Sequence, residues 1–202
     1  SYKEFSRSSI IYDLEYFRKE FLERVNITYN NKLLQSDFKK LTDFIDSADK
    51  DYFMYRDFQS RNIMVKNNKL YFIDYQGGRK GPLQYDLASL LFQARARIPE
   101  YVKEEILDYY ITLARMLTPL SREEFIRYYY AIAFIRVLQT LGAYGLKGLR
   151  ERKKHFIQSI PCALNNLNQL SEKISILDEL SELNKIIQKI KTLNQIDNGS
   201  IR

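Results

Sequence analysis

The chain has 202 residues, a formal charge of +7 and 45% hydrophobic residues, enough apolar material for a sizeable core in one or two domains. Seven glycines and four prolines argue against a sandwich of many short turns, and a single cysteine, Cys162, excludes an internal disulfide and fits a reducing compartment. No apolar run approaches the roughly 20 residues that span a bilayer, and the first residues lack the apolar stretch of a signal peptide, so a cytoplasmic protein with no membrane partner is expected.

The first stripe, Ile10, Leu14, Phe17, Phe21 and Val25, recurs at steps of three and four and predicts a helix over 9–25. Leu33, Leu34, Phe38, Leu41 and Ile45 predict a second. The pattern then changes. "YFMY" (52–55), "NIMV" (62–65) and "KLYFID" (69–74) are short, aromatic and β-branched, and read as strands. Asn67-Asn68 fits a tight hairpin turn between the last two, because Asn tolerates positive φ. "GGRKG" (77–81) reads as a mobile loop ahead of a phosphate cradle.

Helices follow: 85–96, then one from Pro99 to about Leu117, then one opening at Ser121 with Glu124 as a capping box and running to about Tyr144. Segments 160–172 and 177–194 complete the set, and the tail 194–202 reads as frayed. Tyr128, Tyr129 and Tyr130 read as core packing at helical spacing, and Cys162 as a small buried hydrophobe. The cationic run 147–155 reads first as a solvated face, with binding of an anionic partner as the second reading. The fold class is mainly α with a small β-hairpin element (α+β).

A hairpin turning at Asn67-Asn68 pairs Lys66 with Lys69, Val65 with Leu70 and Ile63 with Phe72. Asn62 then falls opposite Ile73, with Asp74 on the diagonal, and Asp57 lies in the loop leading in. Two carboxylates and an amide thus converge at one end of the hairpin. Magnesium takes hard oxygen ligands, often one or two from protein, and a further carboxylate can accept a hydroxyl proton. That is the set of parts a phosphoryl-transfer site needs. Capping and turn formation is the bland alternative for each residue alone. With the sole His, His155, far along the chain and no Cys/His cluster, a Ser/His triad and a zinc site have little support.

"YRDFQSRN", "FIDYQGG" and "GPLQYDLASLL" together resemble the catalytic loop, metal-binding strand end and following helix start of the aminoglycoside phosphotransferase / choline kinase-like family, small-molecule kinases of protein-kinase-like fold. Within it they look closest to bacterial kinases that phosphorylate amino sugars (N-acetylmuramate/N-acetylglucosamine) at the anomeric hydroxyl, in cell-wall recycling. The resemblance implies Asp57 as catalytic base, Asn62 and Asp74 as magnesium ligands, and Asp86 as a brace of the catalytic loop. Tyr55 stands where the family has His and would support the loop differently; Arg56 and Gln76 are implied as substrate or loop contacts. It also implies ATP as phosphoryl donor, Mg2+ as cofactor, and a small hydroxylated substrate and a nucleotide as partners, with nucleic acid disfavoured.

The resemblance covers roughly 9–172 and matches only a C-terminal lobe. The expected division is a kinase-like lobe over 1–174 and a C-terminal helix or linker over 175–202. Nothing before residue 52 reads as a β-rich nucleotide lobe, so the parent protein is expected to be the enzyme and this fragment alone inactive. An aminoglycoside or choline-type kinase is one alternative, and a non-catalytic module with an anion- or RNA-binding basic segment another.

Overall fold

In the computed structural model, which describes residues 4–196, the first helix, α1 (Arg7–Phe17), starts one turn earlier than its apolar stripe. Ser6 caps it, and the Ser6 and Ser9 side chains close a reciprocal capping box. Its buried face is Ile10, Leu14 and Phe17, joined by Phe21 and Leu22. The helix does not run on to residue 25. It widens into a π-turn, Arg18–Leu22. A second helix, α2 (Asn31–Asp46), is capped by Asn30 and buries Leu34, Phe38, Leu41 and Ile45.

The β element comprises two separate antiparallel pairs. Strand β1 (Tyr52–Met54) pairs with β4 (Arg79–Gly81), Tyr52 opposite Gly81 and Met54 opposite Arg79. The segment expected as a mobile loop is therefore partly a strand. Gly81 is required there: a Cβ would lie 2.6 Å from the Met54 sulfur, and Met54 is buried. Strands β2 (Ile63–Lys66) and β3 (Lys69–Phe72) form the hairpin in the expected register, Ile63 opposite Phe72 and Lys66 opposite Lys69. Asn67 and Asn68 both adopt positive φ, 51° and 57°, as a type I′ turn requires. The hairpin is not part of the core: Met64, Val65, Leu70, Tyr71 and Phe72 are all exposed.

Helix α3 (Gln84–Leu91) ends five residues before its predicted limit. Gln93 turns back and donates from Nε2 to the Leu90 carbonyl at 2.9 Å, and a short 3-10 turn, Ala94–Ala96, follows. Helix α4 (Glu100–Arg115) begins just after Pro99. Helix α5 (Arg122–Tyr144) opens on Ser121, whose hydroxyl accepts from the Glu124 N–H at 3.3 Å. It packs on α1, α3 and, further on, α7 (Ile160–Ser171), and buries Tyr128 and Tyr129. It too passes into a π-turn, Gly145–Arg150, before the single-turn helix α6 (Lys154–Ile157). Most of the cationic stretch 147–155 is exposed, and Cys162 is only half-buried against the core.

The last helix, α8 (Ser181–Ile196), packs on α2 and α7 and adds Leu183, Ile186, Ile187 and Ile190 to the common core. Asp37 of α2 caps it, its Oδ2 accepting from the N–H groups of Glu182 (2.7 Å) and Leu183 (2.9 Å). Residues 175–192, expected as a helix or linker, are thus tied to the rest by packing and by a cap. The part of the frayed tail beyond 196 lies outside the described residues. Among the described residues no helix is long and apolar enough to cross a membrane.

Candidate active site

Asn62 and Asp74 stand at the same end of the hairpin, next to the loop that carries Asp57, and local chain geometry explains how. The Ser60–Asn62 3-10 turn delivers the chain into β2, and the Ile73 N–H donates to the Asn62 carbonyl at 3.1 Å, extending the hairpin ladder by one pair. Asn62 is buried, and its Nδ2 donates to the Asp57 carbonyl at 2.8 Å. Its amide oxygen is left without a protein partner among the described residues. Asp74 ends the ladder in the left-handed region (φ 68°), one of the few residue types that adopts it readily. Gln76 Nε2 donates to Asp74 Oδ1 at 2.6 Å, which leaves Oδ2 open.

Asp86, in the first turn of α3, clamps the backbone of the loop that carries Asp57. The Tyr55 N–H donates to its Oδ2 at 2.6 Å and the Arg56 N–H to its Oδ1 at 2.8 Å. Burial pushes the Asp86 carboxyl up from its ordinary value, and these two donors oppose the shift. The clamp holds Arg56 at φ 79°, an unfavourable value for a residue with a side chain. Tyr55 ties the same loop to the other side of the site: its hydroxyl donates to the carbonyl of Ile73, the residue before Asp74. Its ring packs edge-on to Phe58, which leans on Phe72.

Asp57 opens onto a cavity of about 560 Å3, inside the range of small-molecule pockets, about 300–1,000 Å3. Arg56 also lines it, whereas Asn62, Asp74 and Gln76 do not. Its far walls come from Ser89 of α3, inside the helix-start motif, and from two helices that the motifs did not implicate: Tyr16 of α1, and Arg136, Gln139 and Tyr144 of α5. Gln93 was missed as well. Its Oε1 accepts from both the N–H (3.1 Å) and the hydroxyl (2.8 Å) of Ser60, fixing the loop to the end of α3. One signal for α5 was present in sequence, a charged residue within the apolar run "AIAFIRVL".

The donor set fits magnesium: an amide oxygen and a carboxylate oxygen, both hard and both free of protein partners, lie at one end of the hairpin. Among the described residues no cluster of three or more His, Cys, Asp or Glu forms an alternative metal centre.

A mainly helical lobe with a small hairpin, and a loop braced beside a metal-competent strand end, define a kinase-like C-terminal lobe. Comparison with known families agrees. Residues 11–120, more than half of the chain, match the phosphotransferase enzyme family (APH), and the chain belongs to that family. It is also 30% identical over 131 residues to the N-acetylmuramate/N-acetylglucosamine kinase of Neisseria meningitidis serogroup B. That match takes in 62% of this chain but spans only 38% of the relative's length.

Proposed function

We propose that this chain carries the acceptor-side half of an ATP- and magnesium-dependent phosphotransferase acting on a hydroxyl of a small molecule, with an amino sugar as the leading acceptor. The observation that carries the reading is the position of Asp57, on a braced loop between the Asn62–Asp74 pair and a ligand-sized cavity. The amino-sugar assignment draws on the relative's name, and the loop, strand-end and helix motifs support it.

In this mechanism the acceptor sits in the cavity with its hydroxyl against Asp57. Asp57 orients that hydroxyl and takes its proton as the oxygen bonds to the terminal phosphorus of ATP, while the bond from that phosphorus to the bridging oxygen breaks and ADP leaves. Asn62 Oδ1 and Asp74 would hold magnesium, which supplies neutralisation of charge on the phosphoryl oxygens. Asp86 and Tyr55 keep the loop in place, so that little reorganisation remains for the reaction itself. Phe92, Tyr144 and Phe156 add apolar surface to the cavity wall. The groups that grip the donor phosphates are proposed to lie outside these 202 residues.

The test is Asp57→Ala and Asp74→Ala in the full-length protein. Each should lower kcat by about 10²–10⁴-fold, the range of a lost proton-transfer or charge-stabilising group. Ordinary turnover in both variants would refute the assignment.

A further inference from the structure

A second cavity, of about 210 Å3, adjoins the acceptor cavity, and Arg56 and Gln139 line both. It is smaller than the roughly 300–1,000 Å3 that organic ligands usually fill. Phe5, Met54 and Tyr85, all buried, give it apolar walls. Two guanidiniums also line it, Arg56 from the braced loop and Arg79 from β4. Among the described residues neither makes an ion pair or a side-chain hydrogen bond, and Arg79 Nε is buried with no acceptor. Burial, and after it the charge of Arg56, push the Arg79 guanidinium down from its ordinary value. One carboxylate lines the cavity, that of the buried Asp13 of α1, and its Oδ1 already accepts from Gln139 Nε2 at 2.7 Å. Two like charges thus share a small space with one acid that bonds to neither.

A buried N–H without an acceptor is costly, and so are two unpaired guanidiniums beside apolar walls. A tetrahedral oxyanion removes both costs, because its several oxygens can accept from two guanidinium forks at once. A carboxylate, with two oxygens and one charge, satisfies only one fork. We propose that this second cavity is an oxyanion site that takes a phosphate group between Arg56 and Arg79. The exposed Tyr12 lines the same cavity and marks its opening to solvent, so a free ion and the end of a phosphomonoester both have access. Arg56 precedes Asp57 and sits at the unfavourable φ of 79°, so an anion bound to its side chain also anchors the loop that carries Asp57. The site is therefore an effector site acting on that loop, apart from the reacting hydroxyl. It stands or falls independently of the phosphotransfer reading.

The test is calorimetric titration of the 202-residue chain with inorganic phosphate and with methyl phosphate, at constant ionic strength and without nucleotide or magnesium. A single saturable site is expected. Arg79→Gln should weaken it at least about tenfold, as the loss of a charge-assisted hydrogen bond does. Because that variant also alters a strand, Asp13→Asn is the second probe. It removes the one opposing charge, keeps an acceptor for Gln139, and should tighten the site about three- to tenfold; a damaged fold does not gain affinity. The acceptor cavity is cationic too, lined by Arg61, Arg95, Arg136 and Lys147, so Arg95→Gln combined with Lys147→Gln is the control and should change affinity by less than about twofold. Methyl phosphate binding as tightly as phosphate identifies a phosphomonoester as the ligand, and much weaker binding identifies the free ion; the site stands in either case. The proposal is overturned by the absence of a saturable site, or by affinity that either Arg79→Gln or Asp13→Asn leaves unchanged, as adventitious surface binding would. Loss of binding in the Arg95/Lys147 variant would place the anion in the acceptor cavity and overturn it as well.

Discussion

Tyr55 and Asp86 act on the same loop from different directions. Asp86 takes up two backbone N–H groups, while the Tyr55 hydroxyl spans to the Ile73 carbonyl, one residue before Asp74. Tyr55→Phe keeps the ring against Phe58 and loses only the tether. Ile73 is exposed, so water can replace the lost donor and the stability cost should be about 1 kcal/mol or less. Turnover should fall more, about tenfold, because the tether sets where Asp74 stands relative to Asp57. Thermal melts beside kcat in the full-length protein check this; a stability loss with unchanged kcat would make Tyr55 merely structural.

Asp13 offers a second residue-scale prediction. Burial raises its carboxyl to about 6, against the pull of Arg136 and the hydrogen bond from Gln139, with Arg56 and Arg79 also nearby. The folded state therefore holds this proton more tightly than the unfolded chain, whose Asp titrates near 4. The contribution of Asp13 to stability is fully present below about pH 4 and is lost as pH rises through about 6. The loss amounts to about 2–3 kcal/mol at about 1.4 kcal/mol per pH unit. Asp13→Asn keeps an acceptor for Gln139 but does not titrate. Urea unfolding of the variant at pH 4.5 and pH 7 should lack this fall; a slope equal to that of the native chain would place the titration elsewhere.

Among the elements, the crossing of α1 and α5 is the tightest joint. The two π-turns face each other there, and the chain approaches so closely that a Cβ on Gly145 would sit 1.8 Å from the Glu20 carbonyl oxygen, and one on Gly142 2.8 Å from the Tyr16 ring. Gly145→Ala gains helix propensity yet should destabilise by about 3 kcal/mol, because backbone, not a flexible side chain, must move. Chemical denaturation decides it: a neutral or stabilising effect would mean that the crossing relaxes freely. This joint also marks where sequence reading stopped. The hairpin was legible because Asn67-Asn68 fixes a two-residue turn, and the turn fixes every pair from Ile63–Phe72 to Lys66–Lys69. The placing of Asn62 beside the strand end at Asp74 followed from that register, whereas Asp57 is held by the Asn62 Nδ2 bond to its carbonyl, which no register predicts. Strand β4 was hidden because its partner, β1, lies 25 or more residues earlier and its own letters, Arg79, Lys80 and Gly81, have no strand character. The cavity wall on α5 was hidden for a related reason. Which face of a long, nearly all-apolar helix meets which neighbour is decided by packing, and only Arg136 and the Gly142/Gly145 pair hinted at it.

At the scale of the whole molecule, the loop 55–61 divides two basins. Arg56, Asp57, Gln59, Ser60 and Arg61 line the cationic cavity. Tyr55 and Phe58 line a second, shallower basin of about 640 Å3, with Phe53, Leu70, Tyr71, Phe72 and Tyr75 along it. Its apolar side chains are largely exposed, an amount of surface that usually marks an interaction site. In the proposed reaction the first basin serves the acceptor, and the donor needs groups from elsewhere. The 202-residue chain mixed with Mg-ATP and amino sugars should therefore give less than about 1% of the turnover of the full-length protein, a barrier difference of about 2.7 kcal/mol or more. Comparable rates from the two would show that the donor grip is contained in these residues.

The far wall of the acceptor cavity is helix, pinned where Gly142 and Gly145 let α5 press on α1. A pocket framed in this way has little slack to adapt to a new guest. Its selectivity should change through exchange of single side chains along α5, at positions such as 136, 139 and 140. Over evolutionary time such a lobe would diversify its acceptors by point substitution on a fixed frame.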